Sequence, residues 1–360
     1  MGKDKFLIIV HFLATGIVRW HKNYINSGKT YPYPDDVQFG LDKLACYSLT
    51  KNLEFPRNIP EAVQWFHQPL QTWPQVLENL LPFATEEALM IDNMPTDLCY
   101  ELALEGDVEQ ELMEGLLVQV LNLCQEQGKN EDYVRFRRFI IENPILDRAK
   151  LIRWSNNLQN GVAARLLQDA YEDLPAGALG PEGKYYQCPH CGWILEWKNE
   201  SEGRCIHQQC TEKTNNFKKR KVLAGTGLVR LKRGIMRFIA WPGRWELKLE
   251  SDLLKLHHGL KVDLWPGFDS YDLRLTFPTG EVWGIDVKDW RNPYLLAKKA
   301  GVFPPYPVWD KAFWIIPDYQ WRRYSHYGQE FGRFHKLGSN EFIESLGGFR
   351  RRVQRLLEVE

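Results

Sequence analysis

Two aspartates set symmetrically about one turn restrict this chain more than any other feature. Asp272 and Asp286 lie at equal distance on either side of Thr279, the middle residue of Pro278-Thr279-Gly280. Proline and glycine around a polar residue favour reversal of the chain. Before the turn, residues 271–277 alternate, with Asp272, Arg274 and Thr276 on one face and Leu273, Leu275 and Phe277 on the other. After it, Glu281 to Lys288 returns as a second strand, with Asp286 and Lys288 on one face and Ile285 and Val287 opposite. A hairpin folded at Thr279 sets the two carboxylates side by side. Adjacent carboxylates repel unless a cation lies between them. The pair therefore predicts a hard divalent ion that favours oxygen ligands, Mg²⁺ or Mn²⁺.

Upstream, a helix is expected from Trp245 to about Leu260, with Leu249, Leu253, Leu256 and Leu260 on one stripe. Glu246 falls at the edge of that stripe, and a carboxylate aimed at a core is costly unless it is paired or binds metal. Glu250 is the second choice. The structural alternative is a first-turn glutamate favoured by the helix dipole. Downstream, Tyr294 to Ala300 reads as a helix and Lys311 to Asp318 as an apolar strand. The acid-x-Lys triplet of Asp286 and Lys288 is not distinctive alone, because Glu182–Lys184, Glu196–Lys198 and Glu246–Lys248 repeat it. Its apolar strand, the mirrored Asp272 and the acidic helix upstream single it out.

Four of the seven cysteines fall in one window: Cys188-Pro-His-Cys191-Gly, and then Cys205 and Cys210 after an intervening finger. Pairs at short spacing suit a tetrahedral zinc ion, and Gly192 suits the turn of a knuckle. The second pair is more widely spaced than the first, so His190 or His207 is an alternative to one thiolate. A closed four-ligand site leaves no open position, so this zinc is structural. Cys46, Cys99 and Cys124 sit in helical apolar patterns and read as core thiols.

Net charge is zero, so overall charge neither implies nor excludes a polyanionic partner. Its distribution is more informative. Asn58 to Gly128 contains no Lys or Arg, whereas Thr211 to Arg244 carries ten against the single acid Glu212. Lys218, Lys219, Arg220, Lys221, Arg230, Lys232 and Arg233, interleaved with apolar residues, predict a surface that tracks phosphates.

The chain divides by pattern into a helical domain at 1–175, a Gly/Pro-rich linker at 176–185, a zinc ribbon at 186–215, a basic connector at 216–243 and a mixed domain at 244–360. Phe6 to Val18 is too short an apolar run to span a membrane and reads as a buried first helix in a cytoplasmic protein. In the helical half, Asp107 to Gln127 has the clearest periodicity, and Asp132 to about Asn143 carries Arg135, Arg137 and Arg138 among aromatics. His11, His21 and His67 are isolated and read as structural. Nothing in this half reads as catalytic.

The order helix, strand, strand with Asp272, strand with Asp286-Val287-Lys288, helix, strand resembles the PD-(D/E)XK restriction-endonuclease-like superfamily, over about Trp245 to Asp318. The resemblance implies a multidomain α plus α/β chain: a helical amino-terminal domain, a zinc ribbon and a restriction-endonuclease-like αβββαβ core. It implies that Asp272 and Asp286 bind Mg²⁺ or Mn²⁺, that Lys288 orients or activates the attacking water, and that Glu246 is the helix-borne catalytic glutamate, which binds a second metal or assists with a proton. Tyr271 stands where the family name has proline, and Asp269 is the alternative first metal ligand. More narrowly, the RFRRFIIENP stretch at 135–144, the cysteine window and the VKDW ending are similar to the restriction-endonuclease-type proteins of bacterial pPIWI-RE islands. That likeness implies a DNA endonuclease of antiviral defence, with a PIWI-like protein and a helicase as partners. The competing expectation is a nucleic-acid-binding adaptor with a non-cleaving nuclease fold.

Overall fold

The turn at Pro278-Thr279-Gly280 forms as its sequence dictates. Gly280 takes φ 89°, a left-handed conformation that glycine adopts without steric cost, and its N–H donates to the Phe277 carbonyl. The two strands it joins pair antiparallel, with Leu273 opposite Ile285 and Thr276 opposite Val282. A computed structural model describes residues 2–27, 29–77, 86–103, 108–158, 161–197, 203–213, 221–223, 227–256, 259–324 and 326–359.

Five strands make the largest sheet: β1 (Lys261–Leu264), β2 (Leu273–Thr276), β3 (Val282–Val287), β4 (Lys311–Ile316) and β5 (Glu341–Ser345), in that spatial order. β1–β2 and β2–β3 pair antiparallel, and β3–β4 and β4–β5 pair parallel. Parallel neighbours need crossovers, and helical segments follow both β3 and β4. The result is a mixed helical and α/β chain with a helical amino terminus and a carboxy-terminal sheet.

By its contacts the chain forms two units. One contains residues 1–108, 290–300 and 329–335; the other contains 109–289, 301–328 and 336–360. In the first unit, helices Gly2–Ser27 and Asp35–Lys51 approach so closely that a Cβ at Gly40 would lie 2.7 Å from the Leu13 side chain. The run from Phe6 to Val18 supplies the core residues Phe6, Val10, Leu13 and Ile17. Among the described residues no helix is long and apolar enough to cross a membrane. Tyr294 and Leu295 join this same core, and the Glu101 carboxylate accepts the backbone N–H groups of Arg291 and Asn292. The helix Pro293–Lys299, expected from sequence to complete the carboxy-terminal domain, thus belongs with the amino-terminal helices.

The second unit brings together α1 (Asn130–Glu142), α2 (Trp241–Leu253) and the five-stranded sheet. Helix α2 begins four residues earlier than its apolar stripe suggested and ends at Leu253. Pro242 is compatible with the first turn of this helix, where the N–H that proline lacks is least needed. A three-stranded sheet orders Ile145–Asp147, Leu228–Leu231 and Tyr171–Asp173, with Leu228–Leu231 in the middle. This central position buries Val229, Arg230 and Leu231. The supposed basic connector is therefore in part a core strand.

Candidate active site and metal centre

The cysteine module is built from short pieces. The Cys188 N–H donates to the Trp193 carbonyl at 2.7 Å, and the Gly192 N–H to the Cys188 carbonyl at 3.0 Å. Gly192 has φ 74°, which a side chain would disfavour. The Trp193 N–H points at the Cys191 sulfur, 3.4 Å away. Cys205 follows the strand Gly203–Arg204, and Cys210 lies in the helix Gln208–Lys213. All four sulfurs are buried and lie within 4.8 Å of one another. Tetrahedral zinc with Zn–S bonds of about 2.3 Å needs sulfurs roughly 3.8 Å apart, so the set fits a metal such as zinc. Neither histidine belongs to it. His190 is exposed, and the buried His207 ring stacks on Trp241 at 4.0 Å. Burial, then Arg237 and Arg244, hold His207 well below the usual imidazole range.

The second cluster lies where α1, α2 and the sheet meet. Continuing the β2–β3 register one step beyond Leu273 and Ile285 sets Asp272 opposite Asp286. Both are largely buried, at 7% and 8% exposed. The Asp272 Oδ2 accepts the Val287 N–H at 2.6 Å, which fixes that carboxyl on the neighbouring strand. Burial, then Glu246 and Asp286, push Asp272 well above the usual carboxylate range. The Lys288 ammonium stands 2.7 Å from Asp286 Oδ1. Burial works against its charge, but Asp286, Asp272 and Glu246 outweigh burial and raise its pKa.

Glu246 reaches the cluster but is not free. Arg137 Nη2 lies 3.0 Å from both of its oxygens, and Trp265 Nε1 donates to Oε2 at 2.5 Å. Burial still raises Glu246, against the attraction of Arg137. The other end of the guanidinium, Nη1, bonds Asp269, whose second oxygen accepts the Tyr133 hydroxyl at 2.5 Å. Arg137 also lies 3.7 Å from Asp272 and 4.6 Å above the Trp265 ring. Of the two candidate aspartates, Asp272 meets Asp286, and Asp269 meets Arg137.

Positioning of these groups has identifiable causes. Gly243 lets α1 and α2 approach, since a Cβ there would run into Ile141. Trp265, Gly267, Phe268 and Asp269 all have positive φ, a cost of order 1–3 kcal/mol for each non-glycine residue. The contacts of Trp265 with Glu246, of Asp269 with Arg137, and of the Phe268 N–H with Asn130 at 3.0 Å hold this turn in place.

Sequence reasoning overlooked Arg137, Tyr133 and Trp265. A signal was present: Tyr133, Phe136, Arg137, Ile140 and Ile141 form the buried stripe of α1, and an arginine in such a stripe needs buried acids. The basic residues separate. Lys218, Lys219 and Arg220 lie outside the described residues, and Lys221 opens the strand Lys221–Leu223. Lys232 is half-buried. Arg230 is buried, bonds Glu172 at 3.0 Å and lies over Trp193, which removes it from any phosphate-facing surface. Arg233 bonds Glu196 at 3.0 Å.

Comparison with known families adds two matches. Residues 243–359 match the family model described as REase associating with pPIWI_RE, and residues 9–147 match pPIWI_RE three-gene island domain Y. No curated protein and no solved structure matches the chain. The paired matches support a REase-type protein from a pPIWI-RE island.

Proposed function

We propose that this chain is a divalent-metal-dependent endonuclease of the PD-(D/E)XK kind, which hydrolyses phosphodiester bonds in DNA within a defence system. The carrying observation is the in-register meeting of Asp272 and Asp286 with Lys288 beside them. Charge supports it. Glu246, Asp269, Asp272 and Asp286 are four carboxylates against two cations, Arg137 and Lys288, a deficit that one divalent ion balances. Among the described residues, carboxylates do not gather as a tight group of three. The donor set is thus an aspartate pair, with the Val287 carbonyl as its further oxygen.

Bound there, Mg²⁺ or Mn²⁺ would supply a water of lowered pKa and offset charge on the phosphorane. Asp272 and Asp286 would hold the ion, and the Val287 N–H fixes the Asp272 carboxyl by donating to its Oδ2. Lys288, tethered to Asp286, steadies the attacking oxygen and the phosphate oxygens. The water oxygen forms a bond to phosphorus as the bond to the leaving sugar oxygen breaks; the water gives up a proton to solvent, and the leaving oxygen takes one up from solvent. With Arg230 and Arg233 engaged inside the chain, DNA contact falls to Lys232 and the basic run at 218–221. The matches to a REase associating with pPIWI_RE and to a three-gene island domain support partners from that island; a PIWI-like protein and a helicase are the partners this reading assigns.

The test is Mg²⁺-dependent cleavage by the full chain, alone and with its island partners. Lys288→Ala and Asp286→Asn should each lower the rate at least 100-fold. Absence of cleavage by wild type under every condition would leave the adaptor reading. Equal cleavage by both variants would refute the residue assignment.

A further inference from the structure

We propose that Arg137 is the positioning residue of the carboxylate site: it occupies Glu246 and Asp269, and so confines the divalent ion to Asp272 and Asp286. The inference rests on the nuclease reading above and assigns a role to a helix outside the REase match. Arg137 lies within the segment matching domain Y, whereas all four carboxylates lie within the REase match.

The geometry is specific. One nitrogen of the guanidinium serves both oxygens of Glu246 at 3.0 Å, and another serves Asp269. Lysine offers a point charge and no such fork. The residue is 8% exposed and sits over Trp265, so it is held in place and does not reach outward for phosphate. Both oxygens of Glu246 are engaged: each accepts from Arg137, and Oε2 also accepts the Trp265 N–H. This arrangement makes Glu246 the anchor of Arg137 and not a ligand of the ion. At 3.7 Å from Asp272, the same cation also disfavours a second divalent ion on that side.

Counting bound Mn²⁺ tests this, by the loss of the free-ion electron paramagnetic resonance signal. The full chain is used, purified with its cysteine site filled by zinc, without nucleic acid. Wild type should bind one Mn²⁺. Arg137→Gln leaves Glu246 and Asp269 without their cation and should bind two. Arg137→Gln with Glu246→Gln restores the charge balance and should return to one. Glu246→Gln alone should still bind one, because Glu246 is no ligand. The proposal is overturned if Arg137→Gln binds one ion with wild-type affinity, or if Glu246→Gln binds none. Should Arg137→Gln fail to fold, the double variant and Glu246→Gln decide the matter, and loss of Mn²⁺ from either refutes the role. Wild type binding no Mn²⁺ would instead remove the nuclease reading on which the role depends.

Discussion

Substituting Gly243 by alanine tests how closely the two helices under the site must approach. Gly243 lies in the first turn of α2, and the added Cβ would collide with Ile141 Cδ1 and lie 2.8 Å from Cγ1. Ile141 is 4% exposed, so its side chain has little room to withdraw. Overpacking of this kind costs about 1–3 kcal/mol. Alanine returns at most about 1 kcal/mol of helix propensity, and less in a first turn. The net expectation is destabilisation by about 1–2 kcal/mol. Ile141→Val removes the colliding atom and should cost about 1 kcal/mol by itself. In the double variant the valine makes room for the new methyl, so the two costs should not add, and the coupling should be about 1 kcal/mol or more. Urea midpoints followed by tryptophan fluorescence measure all four members of the cycle. Equal stability of Gly243→Ala and wild type, or strict additivity with Ile141→Val, would show that the helices do not depend on the missing side chain.

Three further outcomes are expected. If the four cysteines hold zinc, its chelation should expose Trp193, Ile194 and Leu195, each fully buried; at about 1.5–3 kcal/mol per side chain this lowers the unfolding temperature by several degrees, which differential scanning calorimetry with zinc analysis can check. Burial raises Asp272 and Glu246, so metal-free protein binds more protons folded than unfolded. That contribution is complete below the ordinary carboxylate range and is lost as pH rises through the raised values; unfolding midpoints should fall with pH, and added Mg²⁺ should flatten the slope. Arg230→Ala should cost about 2 kcal/mol of stability, the low side for a buried pair because Glu172 keeps 40% of its side chain exposed, and should leave the salt dependence of DNA binding unchanged. A reduced salt slope with normal stability would return Arg230 to the phosphate surface.

Part of this architecture is legible from local rules. The alternation around Thr279 determines which face Asp272 and Asp286 share, because strand periodicity is two and the turn sets the register. The cysteine spacing brings four sulfurs together for a similar reason, since short loops leave little choice. Glu246 was legible as an inward carboxylate but not as the partner of Arg137. More than a hundred positions separate those two residues, and no local pattern pairs them. The burial of Arg230 was hidden because a charged residue in a basic run looks like surface until the strands on both sides of it are known. The placement of Pro293–Lys299 was missed for the same reason. Its apolar residues Tyr294 and Leu295 announce burial without saying in which core.

Strands Tyr171–Asp173 and Leu228–Leu231 are antiparallel neighbours, with Asp173 opposite Val229. Everything from 174 to 227, the cysteine module included, leaves and re-enters the fold between them. The module is thus an excursion from a hairpin whose ends stay about one strand spacing apart, near 4.8 Å. An element attached in this way can change length without moving either strand end, while Trp193 beneath Arg230 and His207 on Trp241 tie its inner face to the rest of the unit.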